Sequence, residues 1–153
     1  MDPTVNDGVF RCLADRPEAR RGEPAVLSPD DPKHDYYVDS GAHPEIVQRL
    51  WDQLGKALPI DSRALVFGTP ALVHRGSGTI LAFALGTEYA IRLPAEVSKT
   101  QRPVGLRTVA KWTSGGSTNI AETCGEDWIF GSFSPDEVKW CEQAFLECSR
   151  VAG

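Results

Sequence analysis

The chain has 153 residues, 41% hydrophobic and 24% charged, with a formal net charge of −5. That length suits one folded domain with a real core, and the composition is that of an ordinary globular protein. A strongly basic nucleic-acid footprint over the whole chain is excluded. So is a membrane-spanning helix, because no apolar run approaches the ~20 residues a bilayer requires.

Residues 1–40 differ from the rest. They carry nine acidic against five basic side chains, so most of the negative charge lies there. Pro3, Pro17, Pro24, Pro29 and Pro32 recur among them. Proline removes a backbone donor and fixes φ, so long regular elements are not expected. The division that follows is a Pro-rich acidic N-terminal arm over 1–40 and a single α+β domain over 41–153. Within the arm, Val9, Phe10, Cys12 and Leu13 suit one short helical turn, and Ala25-Val26-Leu27 a short extended contact. Tyr36, Tyr37 and Val38 suit anchors, on this domain or on a partner subunit. The start, Met1-Asp2-Pro3-Thr4, is not a basic segment leading into an apolar run, so a cytoplasmic location is expected.

A first helix is predicted from Pro44 to Leu58. Ile46, Val47, Leu50, Trp51, Leu54 and Leu58 recur at three- and four-residue steps, which makes one apolar stripe. Pro44 suits the first helical turn and Pro59 ends the helix. Extended runs follow. Leu65-Val66-Phe67 is broken by Gly68-Thr69-Pro70 and resumes from Ala71 to Arg75. Gly76-Ser77-Gly78 turns the chain into a run from Thr79 to Leu85. Gly86-Thr87-Glu88 turns it again into Tyr89–Leu93. Turns this short favour an antiparallel meander.

Pro94–Thr100 reads as a short helix, Leu106–Trp112 as a strand, and Trp128–Phe133 as the final strand. The last helix, Ser134–Cys148, opens on an S-x-x-E capping box: Ser134 caps, Glu137 reaches back, and Pro135 takes the first helical position. Val138, Cys141, Phe145 and Cys148 form its buried stripe, with Ala144 alongside. The fold class expected is α+β, an antiparallel sheet of about five strands packed against an N-terminal and a C-terminal helix.

Catalytic signatures do not emerge. There is no P-loop, no G-x-S-x-G elbow and no H-E-x-x-H pair. The four cysteines, Cys12, Cys124, Cys141 and Cys148, form no C-x-x-C pair, so neither a zinc knuckle nor another cofactor is expected. Cys141 and Cys148 are seven positions apart on a helix, roughly 10 Å, which is too far for a disulfide. Cys124 beside Glu126 and Asp127 lacks the positive surroundings that activate a thiol. Two constellations carry chemistry. Arg92, Lys99, Arg102, Arg107 and Lys111, with Trp112 and interleaved hydroxyls, could meet phosphates and stack on a base. His74, Trp128 and Trp140 could line a small-molecule pocket between the sheet and the last helix.

Phe67-Gly68, the hairpin through Gly76-Ser77-Gly78, the strand around Ala82-Phe83-Ala84 and the exit Ile91-Arg92-Leu93-Pro94 form a recognisable pattern. With Trp128 leading into the Ser134 helix, it resembles the TfoX N-terminal and MmcQ/YjbR-like group of small α+β domains. The resemblance spans roughly residues 44–148. It implies the same α+β plan and, for some relatives, an association with DNA-linked regulation. It carries no shared catalytic residues to transfer.

The functional expectation is a non-enzymatic cytoplasmic binding or interaction domain. Its partner would be another protein or a second copy met through the N-terminal arm. Nucleic acid bound through 92–111 and a small molecule in the sheet–helix pocket are the alternatives.

Overall fold

Residues 63–92 fold as consecutive hairpins, and the rest of the described chain packs around them. The computed structural model of the chain describes residues 5–14, 26–27, 43–85, 88–100, 120, 124–125, 127–131 and 133–152. The sheet strands are β1 (Val26–Leu27), β2 (Arg63–Val66), β3 (Thr69–His74), β4 (Thr79–Leu85), β5 (Glu88–Arg92) and β6 (Trp128–Phe130). They lie side by side in chain order, every neighbour antiparallel. This is the expected meander, with a two-residue strand added at one edge.

The first hairpin turn differs from expectation. Val66 pairs with Thr69, so the loop is Phe67-Gly68 alone, and both residues have positive φ, 48° and 78°. That is the geometry of a tight two-residue turn matched to strand twist. Thr69 and Pro70 therefore belong to β3 rather than to a break. Pro70 is tolerated because the pairing with β4 begins only at Ala71, where a backbone donor is first needed. Phe67, a non-glycine residue in the left-handed region, is held there by its ring, which meets Phe10 edge-on at 5.7 Å.

Both faces of the sheet are buried. On one lie Leu65, Leu72, Leu81, Ala82, Ala84, Tyr89, Ile91 and Ile129. On the other lie Ala64, Val66, Ala71, Val73, Ile80, Phe83, Ala90, Trp128 and Phe130. The alternation slips once: Leu81 and Ala82 face the same way, where the β3–β4 register shifts between Leu72 and Val73. Two consecutive residues on one face are the mark of a β-bulge.

The first face is covered by two helices. One is α2, an α-helix over Pro44–Gln48 that widens into π-helical turns over Arg49–Leu54. The other is α4, Asp136–Ala152. Helix α2 ends at Leu54, five residues before Pro59, with Gly55 N–H donating to the Leu50 carbonyl at 3.1 Å. Leu58 still reaches the core beyond that end. Trp51 Nε1 donates to the Ala71 carbonyl at 2.9 Å, fixing α2 to β3.

The second face is covered by α1 (Asp7–Cys12) together with Ile120 and Cys124. Val9 and Leu13 are fully buried there. The helical turn expected in the arm thus exists, and it forms part of the core. Tyr36, Tyr37 and Val38, and the strand expected over 106–112, lie outside the described residues. A short helix, α3 (Ala95–Thr100), follows β5. Among the described residues, no helix is long and apolar enough to cross a membrane.

Strand β6 stops at Phe130 rather than Phe133. Gly131 N–H donates back to the Tyr89 carbonyl at 2.8 Å, and Phe133 adopts a positive φ of 62°, which no strand accommodates. A Cβ on Gly131 would fall inside the Tyr89 ring, so only glycine permits this close approach.

Candidate functional site

A cleft of about 290 Å³ opens where β4 begins and β5 ends. It is lined by Val5, by Ala144, Glu147 and Cys148 of α4, and by Ser77, Thr79, Leu93, Ala95 and Asp127. Arg92, the last residue of β5, also lines it. The surface is mainly aliphatic, with a few polar groups converging on it.

Arg92 is held from two directions. Its Nε donates to the Ile80 carbonyl at 2.8 Å and one terminal nitrogen donates to the Val5 carbonyl at 3.3 Å. The guanidinium also lies 4.8 Å from the centre of the Trp128 ring. Burial pushes its pKa below the ordinary arginine value, while Cys148, Asp127 and Cys124 pull it back. Two of its five N–H donors are thus satisfied by carbonyls, and among the described residues no carboxylate is paired with it.

Ser77 and Thr79 reach the cleft from the β3–β4 turn, and His74 organises them. Ser77 N–H donates to His74 Nδ1 at 3.0 Å, so Nδ1 is an acceptor and the ring proton sits on Nε2, 3.0 Å from Ser149 Oγ. Ser77 Oγ lies 2.8 Å from the same Nδ1 and donates to Thr79 Oγ1 at 2.9 Å. The imidazole packs edge-on against Phe145 at 4.6 Å. His74 therefore ties the turn to α4 and stands behind the cleft wall rather than in it.

The other expected pocket residues are separated from it. Trp128 is buried in the opposite core, its ring tilted 60° to that of Phe83 with centroids 5.4 Å apart. Trp140 is half-buried on α4 against the first core. A pocket between sheet and last helix is present, but its lining is a different set. Of the basic series, Arg92 is turned inward onto Trp128 and the cleft. Lys99 lies on α3 with its side chain outside the description, and Arg102, Arg107, Lys111 and Trp112 lie outside the described residues.

Glu137 is a second feature that the sequence reading placed differently. Asp136 N–H does donate to Ser134 Oγ at 3.3 Å, as a cap should. Glu137, however, is buried, and its Oε1 accepts from Tyr89 OH and lies 3.5 Å from an Arg49 terminal nitrogen. Tyr89 OH in turn accepts from Phe133 N–H at 2.8 Å, and Arg49 donates to the Ser134 carbonyl at 3.1 Å. The network pins α2, β5 and the start of α4 together.

Burial, then the Glu137 hydrogen bond and charge, push Tyr89 up to about 12. Because the folded value exceeds the ordinary one, this contribution to stability is complete below about pH 10 and is lost as pH rises through the folded value. In a phenolate absorbance titration, one of the three tyrosines is expected to ionise near pH 12, and Tyr89→Phe to abolish that late step. All three ionising together near pH 10 in folded protein would contradict the network.

Two of the thiols resist ionisation. A side-chain hydrogen bond shared with Cys12, and then burial, raise Cys124, whose Sγ donates to the Gly8 carbonyl at 3.5 Å. Burial pushes Cys141 up to about 12. Neither is poised as a thiolate.

No family model matches the chain, and no curated protein or solved structure matches it either.

Proposed function

We propose that the protein is a cytoplasmic binding domain, without turnover chemistry of its own, whose ligand is a small organic molecule held in the cleft at the end of the sheet. The observation that carries this reading is the cleft itself: an aliphatic concavity at a sheet–helix junction into which a few polar side chains converge. Binding sites for small molecules have that construction. Its volume, about 290 Å³, lies at the lower end of such sites and suits a compact ligand. Binding rather than catalysis is favoured by the state of the reactive groups. Both His74 nitrogens are engaged in hydrogen bonds, and the Cys124 and Cys141 thiols are raised. The resemblance to the TfoX and YjbR-like domains fits a regulatory role but supplies no ligand.

Screening a fragment library by amide chemical-shift mapping tests the reading. Hits are expected to move Ser77, Thr79, Leu93, Ala95 and Glu147 together. Ala95→Phe, which fills the mouth from an exposed position, should abolish those shifts while leaving the fold intact. A screen whose hits cluster elsewhere, or persist in Ala95→Phe, overturns it.

A further inference from the structure

We infer that the cleft selects a small organic monocarboxylate, an acid with a compact apolar body whose carboxylate meets Arg92. The inference rests on the cleft being a ligand site and names the chemistry of its ligand.

A guanidinium withdrawn from water is costly unless it is paired. Arg92 is largely withdrawn, with carbonyl oxygens and one indole face around it; Asp127 attracts its charge across the cleft but forms no salt bridge with it among the described residues. Three of its five N–H donors remain without a partner among the described residues, on a side chain that lines the cleft. The Ile80 and Val5 carbonyls fix the plane of the group, so its fork is preorganised for an oxyanion. A planar fork of this kind matches a carboxylate in bidentate fashion. Leu93, Ala95 and Ala144 then offer apolar contact to the body of the ligand.

Charge limits the choice of anion. One guanidinium balances one negative charge, and Asp127 and Glu147 also border the cleft. Glu147 Oε1 is committed to the Ala95 N–H at 2.9 Å, which fixes a carboxylate near the mouth. A phosphate dianion would meet those two acids with only one cation to offset it, whereas a monocarboxylate meets them with half the charge.

The test uses the full chain and matched probes: benzoate, phenylacetate and hexanoate against their primary amides, with inorganic phosphate as a third arm. Affinity is read by chemical-shift titration. A charge-assisted hydrogen bond is roughly twice as strong as a neutral one, so each acid is expected to bind about tenfold or more tighter than its amide. Arg92→Lys should cut the acid's advantage, and Arg92→Gln should erase it, bringing acid and amide to equal affinity in a variant whose backbone spectrum is otherwise that of the folded protein. Ala95→Phe should block acid and amide alike without touching Arg92, which separates a lost anchor from a lost fold. Acid and amide binding the cleft equally would overturn the carboxylate inference and leave the cleft reading standing. Phosphate competing as well as the acids would overturn it too. Binding of no probe in the cleft would overturn both.

Discussion

Replacing Glu137 with alanine is expected to lower stability by about 3–5 kcal/mol, because breaking a buried ion pair leaves its partner's charge uncompensated. The Arg49 side chain is only 11% exposed and that of Glu137 1%. Without the carboxylate, Arg49 keeps a charge it cannot hydrate, and Tyr89 OH loses the acceptor it donates to. Glu137→Gln retains an acceptor but not the charge, so its loss should be smaller. The pair Glu137→Ala with Arg49→Met should recover part of the loss, since removing both charges leaves nothing to neutralise. Urea unfolding followed by tryptophan fluorescence measures all three. A Glu137→Ala loss under about 1 kcal/mol, the range of exposed ion pairs, would show that the network is solvated and does not clasp the helices.

Gly8→Ala is expected to destabilise the protein, against the usual trend. Alanine in place of glycine inside a helix ordinarily gains up to about 1 kcal/mol. At Gly8 the added Cβ would collide with the Cys124 backbone, its carbonyl and Cα, which no side-chain rotation can relieve. Overpacking of this kind costs typically 1–3 kcal/mol and should outweigh the propensity gain. The loss should also be local. Amide exchange should quicken for Ile80, whose N–H donates to Asn6 Oδ1 at 2.9 Å, where the Asn6 side chain also spans to the β4 hairpin through Nδ2 donating to the Gly78 carbonyl at 2.7 Å. A stabilised Gly8→Ala variant would mean that α1 does not dock against residue 124.

The sheet was legible because its signals are local. Gly76-Ser77-Gly78 turns the chain, and the runs on either side have strand length and composition, so the meander followed without long-range information. The second covered face was less legible, although its trace is present. The residues that alternate with the helix-facing set are also apolar: Ala64, Val66, Ala71, Val73, Ile80, Phe83 and Ala90. Near-continuous apolar strands indicate burial on both sides, and they require a cover for which only the Val9–Leu13 turn gives a hint.

The cleft left no trace of that kind. Val5, Ser77, Arg92, Asp127 and Cys148 come from five separate segments, and no spacing rule links them. Reading Arg92 with Lys99 and Arg102 as one basic series follows proximity in sequence. The fold instead turns Arg92 inward at the end of β5, where Trp128 of the adjacent strand meets it. Glu137 shows the same limit: S-x-x-E marked a helix start correctly, while the buried use of the glutamate depended on Tyr89 and Arg49, brought from 48 and 88 residues away.

The outermost described strands, β1 and β6, are two and three residues long. Stubs of that length present few donors and acceptors in register, so a foreign strand has little to pair with. The long, strongly apolar segments most prone to fibril growth, β3 and β4, lie inside the sheet with neighbours on either side. Among the described residues, brevity at the margins thus limits lateral polymerisation through the sheet.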